Sequence, residues 1–307
     1  MKPGISVVGS VNMDLVFRTP RMPAPGETLS GHEFHEIPGG KGANQAVAAA
    51  RMGGAVSLIA CVGADGFGRR SQQTLQQDGI DITHVRVADD CASGVAGILV
   101  CDDGENSIVL AAGANARLSP ADVTAAQDVI GAGKLLLCQL EVPMETVQAA
   151  LACAKRQGVR VVLNPAPVQA LPEGMLAQVD YLVVNETEAG QLSGVAVQDV
   201  DSAAQAAQAL LGRGVGAVLL TLGEHGVLAA DAAGQQHFPG LKVQVVDTTA
   251  AGDTFVGALA VGLGQGLDLR AAAAAAQYAA ALTVTRLGAQ SSIPQLAEVE
   301  AFRAHAG

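Results

Sequence analysis

The chain has 307 residues, half of them apolar, 15% charged and only 3% aromatic with no Trp, so Ala, Val, Leu and Ile must build its interior, as two domains or one large α/β unit with an appendage. A formal charge of −11 and a pI near 4.9, without any Lys/Arg run, exclude a protein that grips nucleic acid or anionic membranes by bulk charge. The start has no basic segment leading into an apolar one, and no apolar stretch reaches about 18 residues, which predicts a soluble, uncleaved chain; Cys61, Cys91, Cys101, Cys138 and Cys153, without CxxC spacing, fit a reducing cytoplasm.

Residues 5–11 (ISVVGSV) read as a strand buried on both faces, followed by Asn12 and Asp14. Segment 14–38 is richer in short alternating runs, with His32 and His35 at a spacing that suits solvent-facing positions better than metal ligands. Gly39-Gly40-Lys41-Gly42 opens an Ala-rich helix over 42–52 with Asn44 in its first turn. It is not a Walker A loop, and Gln45 stands where GxGxxG needs its last Gly. A strand at 56–62 and a helix at 67–77 follow, and within 91–112 the runs Val95–Cys101 and Asn106–Leu110 flank Asp102-Asp103-Gly104-Glu105 as a hairpin. Strand 135–140 (LLLCQL) leads to Glu141 and a helix at 143–157; strand 159–163 leads to Asn164; strand 180–184 leads to Asn185 and Glu186. A helix at 201–213, a strand at 217–221 closing on Thr221, and helices at 253–264 and 268–286 complete the pattern. The run Ala271–Ala276 predicts a closely packed helix, and Gly262, Gly264 and Gly266 are expected to end the helix before it.

Alternating strands and helices predict an open, mostly parallel sheet flanked by helices. Ligands of such sheets lie beyond the carboxyl ends of the strands, where Asn12, Asp14, Glu141, Asn164, Asn185 and Thr221 all fall. Helix capping accounts for any one of them, less readily for six at one edge. Segments 14–38 and 91–112 predict a small second sheet with one uncovered face, hence a lid over a cleft, a subunit contact, or both. In Asp247-Thr248-Thr249-Ala250-Ala251-Gly252-Asp253 small residues leave the backbone bare where a helix starts, so N–H groups and the helix dipole converge on a phosphoryl-sized point. A carboxylate there can take a proton from an attacking hydroxyl. As a helix-terminal acid alone, Asp253 would contribute about 0.5–1 kcal/mol and would leave the flanking AAG unexplained.

These residues resemble the carbohydrate kinases of the ribokinase or phosphofructokinase-B type over essentially the whole chain. The resemblance is carried by GGKGANQA (39–46) and DTTAAGDTFVGAL (247–259), with VNMD (11–14), PGET (25–28), LNPAP (163–167), NETE (185–188), TLGEHG (221–226) and VTRLGAQ (284–290) in support. It implies a ribokinase-like fold in which one domain spans 1–307, and ATP-dependent phosphorylation of D-ribose at O5. It also implies that Asn12, Asp14, Gly40, Lys41, Asn44, Glu141 and Asp253 hold the sugar. Asp253 would be the base, and Ala250, Ala251 and Gly252 an anion hole. The nucleotide would lie against Asn185, Thr221, Leu222, Gly223, Glu224, His225, Gly226, Gly252 and Gln277, with Glu188 ordering Mg²⁺. An activating K⁺ would be held, mostly by main-chain oxygens, at Asp247, Thr249, Thr283, Arg286, Gly288 and Ser292. A homodimer through the lid sheet, with no nucleic-acid or membrane partner, completes the expectation.

Kinases of other sugars or of nucleosides share this machinery, so the acceptor is the open point. A non-catalytic sugar sensor is expected to have lost Asp253 or the AAG turn, and this chain keeps both. A dinucleotide-dependent oxidoreductase would need GxGxxG after the first strand, where VGSVNMD (8–14) stands. A purely structural α/β protein would use its polar strand ends as caps and bind no ATP.

Overall fold

Apolar runs too short for helices become strands, and the longer Ala-rich stretches between them become helices that cover both faces of a sheet. The computed structural model describes residues 2–306. In chain order the first elements are β1 (Gly4–Val8), β2 (Asn12–Thr19), β3 (Glu33–Gly39), α1 (Lys41–Arg51), β4 (Ala55–Gly63), α2 (Gly66–Gln77), β5 (Val85–Ala88), β6 (Gly94–Cys101) and β7 (Asn106–Ala111). Then come α3 (Pro120–Ala125), α4 (Gln127–Ala132), β8 (Leu135–Cys138), α5 (Met144–Gln157), β9 (Arg160–Leu163), β10 (Tyr181–Asn185), α6 (Glu186–Ser193) and α7 (Val200–Leu211). The last are β11 (Ala217–Thr221), β12 (Val227–Asp231), β13 (Gly234–Phe238), α8 (Ala251–Gly264), α9 (Leu269–Thr283) and α10 (Leu296–Ala306).

The main sheet has nine strands in the order β13-β12-β11-β10-β9-β8-β1-β4-β5. It is parallel from β11 to β5, and β12 and β13 add an antiparallel edge. Successive residues serve opposite faces: Leu135 and Leu137 pack with α1, α8 and α9, whereas Leu136 and Cys138 pack with α4, α5 and α7. Order reverses between β1 and β8, which opens a crevice at the carboxyl edge beside Ser10, Glu141 and the start of α1.

A second sheet, β3-β2-β6-β7, stands apart from the first. The expected hairpin is present, with Val95 opposite Ala111 and Val100 opposite Asn106. Phe17 and Phe34 stack with ring centroids 4.8 Å apart yet remain exposed, as do Ile108, Val109 and Leu110. His32 and His35 are exposed, and all five cysteines are free thiols.

Two expectations change. The run 5–11 is not one strand: β1 stops at Val8, and the chain at Gly9–Val11 packs on the first turn of α1 before entering the second sheet at Asn12. A Cβ on Gly9 would lie 2.7 Å from Gly42 Cα, and Ala43 N–H donates to Ser10 O at 2.9 Å. Gly262 does not end α8 but lies within it, whereas Gly264 is its last residue; neighbours touch the backbone at both, where added Cβ atoms would meet Ala272 Cβ at 3.2 Å and Pro3 Cβ at 2.7 Å. Gly266, with φ 94°, is the residue that turns the chain. The Ala-rich helix is close-packed as expected, with Ala272, Ala273, Ala276 and Ala279 fully buried.

Helix α8 also touches α1 through Gly257, where a Cβ would lie 2.6 Å from Ala48 Cβ and 2.7 Å from Ala49 N. Ala is the better helix former by about 0.8–1 kcal/mol, but overpacking costs about 1–3 kcal/mol. Gly257→Ala is therefore expected to be destabilising in urea unfolding, and a gain in stability would contradict this close approach.

Candidate active site

Strand β3 runs straight into α1, and the junction has room only for glycine. A Cβ on Gly39 would lie 2.6 Å from the Asp14 carboxyl carbon, and one on Gly40, at φ 90°, would lie 2.7 Å from Asn12 N. This brings Asn12, Asp14 and the N-terminus of α1 together. Glu141, three residues past β8, accepts from Ser10 Oγ–H at 2.6 Å and from Lys41 N–H at 3.0 Å with the same oxygen. Asn115 ties the far side down, donating from Nδ2 to Asn12 Oδ1 at 2.7 Å and accepting from Val11 N–H at 2.8 Å. A cavity of about 350 Å³ lies against Asn12, Asn115, Glu141, Leu110, Met144 and Gln169.

Asp253 sits in the first turn of α8, buried. Its Oδ2 accepts from Asn44 Nδ2 at 3.0 Å and its Oδ1 from Gln45 Nε2 at 3.0 Å. Ala250 is the N-cap residue, at φ 60° and ψ 6°, the one non-glycine residue with positive φ among those described. Left-handed backbone costs an L-residue about 1–2 kcal/mol; here it turns the chain so that the N–H groups of Gly252 and Asp253, which have no partner among the described residues, point out of the helix end. Bare N–H groups at a helix N-terminus make an anion site.

Charge is concentrated here. Burial, then Glu141 and Asp253, push the Asp14 carboxyl up to about 7, with Lys41 opposing. Burial likewise raises Asp253, against the pull of Lys41, Asn44 and Gln45, and raises Glu188 against the Asn185 N–H and Lys41. Burial works against the Lys41 ammonium too, but Asp253, Glu141, Glu188 and Asp14 together hold its pKa above the ordinary value. One lysine thus serves four carboxylates.

Farther along the sheet edge, Asn185 and Glu188 form a reciprocal cap on α6, Glu188 N–H to Asn185 Oδ1 at 2.8 Å and Asn185 N–H to Glu188 Oε2 at 3.0 Å. Thr221 is the register partner of Asn185. The loop after it closes by Leu222 N–H to Gly226 O at 2.8 Å, with Gly223, Glu224 and His225 in a single 3₁₀ turn. Gln277 lies on α9, partly buried. Two further loops meet beside Ala250: Asp247 accepts from Thr249 N–H, Thr249 Oγ–H and Gly288 N–H at 2.9, 2.6 and 2.9 Å, and Val246 N–H and Asp247 N–H donate to Val284 O. Thr283 Oγ–H donates to Ala279 O and to Thr254, and Ser292 Oγ–H to Ala289 O. The Arg286 guanidinium is paired to Glu298 at 2.6 Å, so only its main chain is left for these loops.

Ser10, Gln45, Asn115 and Gln139 hold the site together and were not among the expected site residues. Their signal was a polar residue inside an apolar run, Gln139 within LLLCQL and Gln45 within an Ala/Val helix; their partners lie about a hundred or more residues away.

A family model described as pfkB family carbohydrate kinase matches residues 2–296. The chain is 44% identical over 306 residues to the ribokinase of Haemophilus influenzae, covering 100% of both chains. It is 39% identical over 299 residues to the deoxyribokinase of Salmonella typhimurium, covering 97% of this chain and 98% of that one. Among solved structures, Arabidopsis thaliana ribokinase complexed with ribose and ATP matches with a TM-score of 0.91 at 30% identity, over 98% of this chain and 99% of that one.

The raised Asp14 pKa has a definite sign. The carboxyl ionises at 3.8 in the unfolded chain but only at about 7 in the folded one, so the stability it contributes is full below pH 4 and lost as pH rises through 7. Asp14→Asn is expected to raise the free energy of unfolding on the order of 2–4 kcal/mol at pH 8, with a smaller gain at pH 5. Urea titrations at the two pH values check this; equal gains would contradict the raised pKa.

Proposed function

The chain belongs to the pfkB family of carbohydrate kinases and catalyses ATP-dependent phosphorylation of ribose, and on that premise we propose in-line transfer of the γ-phosphoryl group to the 5-hydroxyl with Asp253 as general base. The observation that carries this reading is a buried carboxylate in the first helical turn beside unpartnered N–H groups. As the O5–phosphorus bond forms, the O5 proton passes to Asp253. The bond from phosphorus to the bridging oxygen of ATP breaks, and ADP leaves with that electron pair. The turn Ala250–Gly252 receives the charge of the transferring group chiefly through the free Gly252 N–H, the Ala251 N–H being engaged by Thr248 O at 3.3 Å. Asn12, Asp14, Gly40, Lys41, Asn44 and Glu141 hold the sugar hydroxyls.

The nucleotide lies along Asn185, Thr221, the Leu222–Gly226 loop and Gln277. One Glu188 oxygen is occupied by the Asn185 N–H and the other is left for Mg²⁺, a hard cation that keeps most of its waters and binds phosphate through few carboxylates. Bound there, Mg²⁺ would offset phosphate charge. The main-chain oxygens of Asp247, Thr249, Arg286 and Gly288 accept no hydrogen bond among the described residues, a neutral donor set suited to K⁺. The Asp247 side chain meanwhile pins the two loops together, and the hydroxyls of Thr283 and Ser292 brace them. A cation held there would stiffen the turn that ends at Ala250.

The second sheet acts as a lid that excludes water, so that ATP is not hydrolysed, on what works as one kinase unit. Its exposed Phe17, Phe34, Ile108, Val109 and Leu110 suit a homodimer contact better than solvent. No helix among the described residues is long and apolar enough to cross a membrane, and five free thiols fit a cytoplasmic setting. The full-length similarity to a deoxyribokinase makes 2-deoxyribose the second candidate acceptor.

The test is ADP release with ATP and Mg²⁺, comparing D-ribose, 2-deoxyribose, fructose and adenosine, with and without K⁺. Ribose-dependent, K⁺-stimulated turnover is expected, and preference for another acceptor would overturn the sugar and leave the chemistry. Asp253→Asn is expected to lower kcat by about 10²–10⁴ or more while ribose binding survives in part; near-normal kcat would remove Asp253 as base. Sedimentation at micromolar concentration should give a dimer, and a monomer throughout would refute the lid contact.

A further inference from the structure

Behind Asp253 lies a chain of buried amides that no sugar or nucleotide role accounts for. Gln45, fully buried, donates from Nε2 to Asp253 Oδ1 at 3.0 Å and to Asn164 Oδ1 at 3.2 Å. Its own Oε1 accepts from Gln139 Nε2 at 2.6 Å. Asn164, just past β9, donates from Nδ2 to Val183 O of β10 at 3.0 Å. We infer that Gln45 is a positioning residue for phosphoryl transfer, its amide locked by Asn164 and Gln139 so that one fixed N–H holds the Asp253 carboxylate to the strand ends.

The lock follows from donors and acceptors alone. The Val183 carbonyl obliges Asn164 to present oxygen to Gln45. Asp253 presents oxygen from the other side, so the NH₂ end of Gln45 must face both. Its carbonyl then points at Gln139, which must answer with NH₂ and leaves its own Oε1 without a partner. An orphaned buried oxygen is retained when the rest of the network depends on that orientation. The N–H groups of Gln139 and Gln45 align toward the carboxylate, and each bond polarises the next.

This inference rests on Asp253 being the base. A neutral donor to the ionised carboxylate favours that form, so its loss raises the Asp253 pKa. Lys41 on α1, Asp14 on β2, Glu141 after β8 and Glu188 on α6 also act on that group, and all stay unchanged in a Gln45 variant.

The experiment is single-turnover phosphoryl transfer to ribose from pH 5 to 9 for wild type, Gln45→Met and Gln45→Glu, with ribose affinity by calorimetry and folding by thermal melts. Gln45→Met keeps the volume and removes the donor: the rate should fall about 10–100-fold, the acid limb should move up by about half a unit or more, and the ribose Kd should stay within about threefold. Gln45→Glu keeps the acceptor for Gln139 and sets a carboxyl against Asp253, so its limb should move further; if Gln45→Met does not fold, this variant decides. A folded variant with an unmoved limb overturns the inference, whatever its rate, because a rate loss alone marks a structural role. Asp253→Asn in the same series separates the two readings: activity retained there removes the base, whereas an inactive Asp253→Asn beside unshifted Gln45 variants removes only Gln45.

Discussion

A carboxylate taken out of water persists as an anion only if donors and a cation replace the hydration it has lost, and few sites in a protein can supply both. Asp253 obtains its donors from Asn44 and Gln45, neighbours on α1, and its cation from Lys41 at the head of the same helix. Short amide side chains reach only if α1 and α8 nearly touch. Hence Gly257 faces Ala48 and Ala49 with no room for a Cβ, and α1 is lined by Ala43, Ala46, Ala48 and Ala49, all fully buried. The chain's richness in Ala and Gly and its shortage of aromatics are in this part of the molecule a consequence of bringing two helix backbones to one carboxylate.

The same demand shapes the loops. Gly39, Gly40 and Gly42 let the second sheet, the β1 end and α1 meet within van der Waals contact, placing Asp14 and Glu141 around Lys41. Carboxyl groups outnumber the single ammonium, which on the proposed reading suits a neutral polyol better than an anion. The complementary positive potential is kept a few residues away, at the helix end set by Ala250, where it comes from backbone dipoles rather than side chains. On that reading, separating the two potentials would let one crevice receive an uncharged acceptor beside a highly charged donor.

Much of this was legible in the sequence for definite reasons. Strands covered on both faces print as unbroken apolar runs, and the turn residues of Asp247–Asp253 and Gly39–Gly42 are local, so they read directly. The break after Val8 did not read, because Val11 is as apolar as Val7 and only the approach of Gly42 from another element ends the strand. Gly262 misled because glycine serves helix ends and close contacts alike. Gln45 and Gln139 were in view as letters, yet their meaning depends on hydrogen bonds spanning 208 and 94 residues, which no local pattern encodes. The antiparallel pair β12 and β13 also went unread, since its outer strand is polar and half exposed.

The most local chemistry decides the acceptor. Burying a polar atom that only substrate can satisfy makes an analogue lacking the matching group costly, by as much as 10⁴–10⁵ in kcat/KM where the site was built for a hydroxyl. Asn44 owns such an atom only if the pocket rearranges on binding: its Nδ2 is committed to Asp253, and its Oδ1, closed to solvent, has no partner among the described residues. Asn12 differs, because its Oδ1 already accepts from Asn115 and loses less when a hydroxyl is missing. On the proposed reading, discrimination between ribose and 2-deoxyribose turns on which of these two amides meets the 2-hydroxyl, with the chemical step at Asp253 common to both sugars.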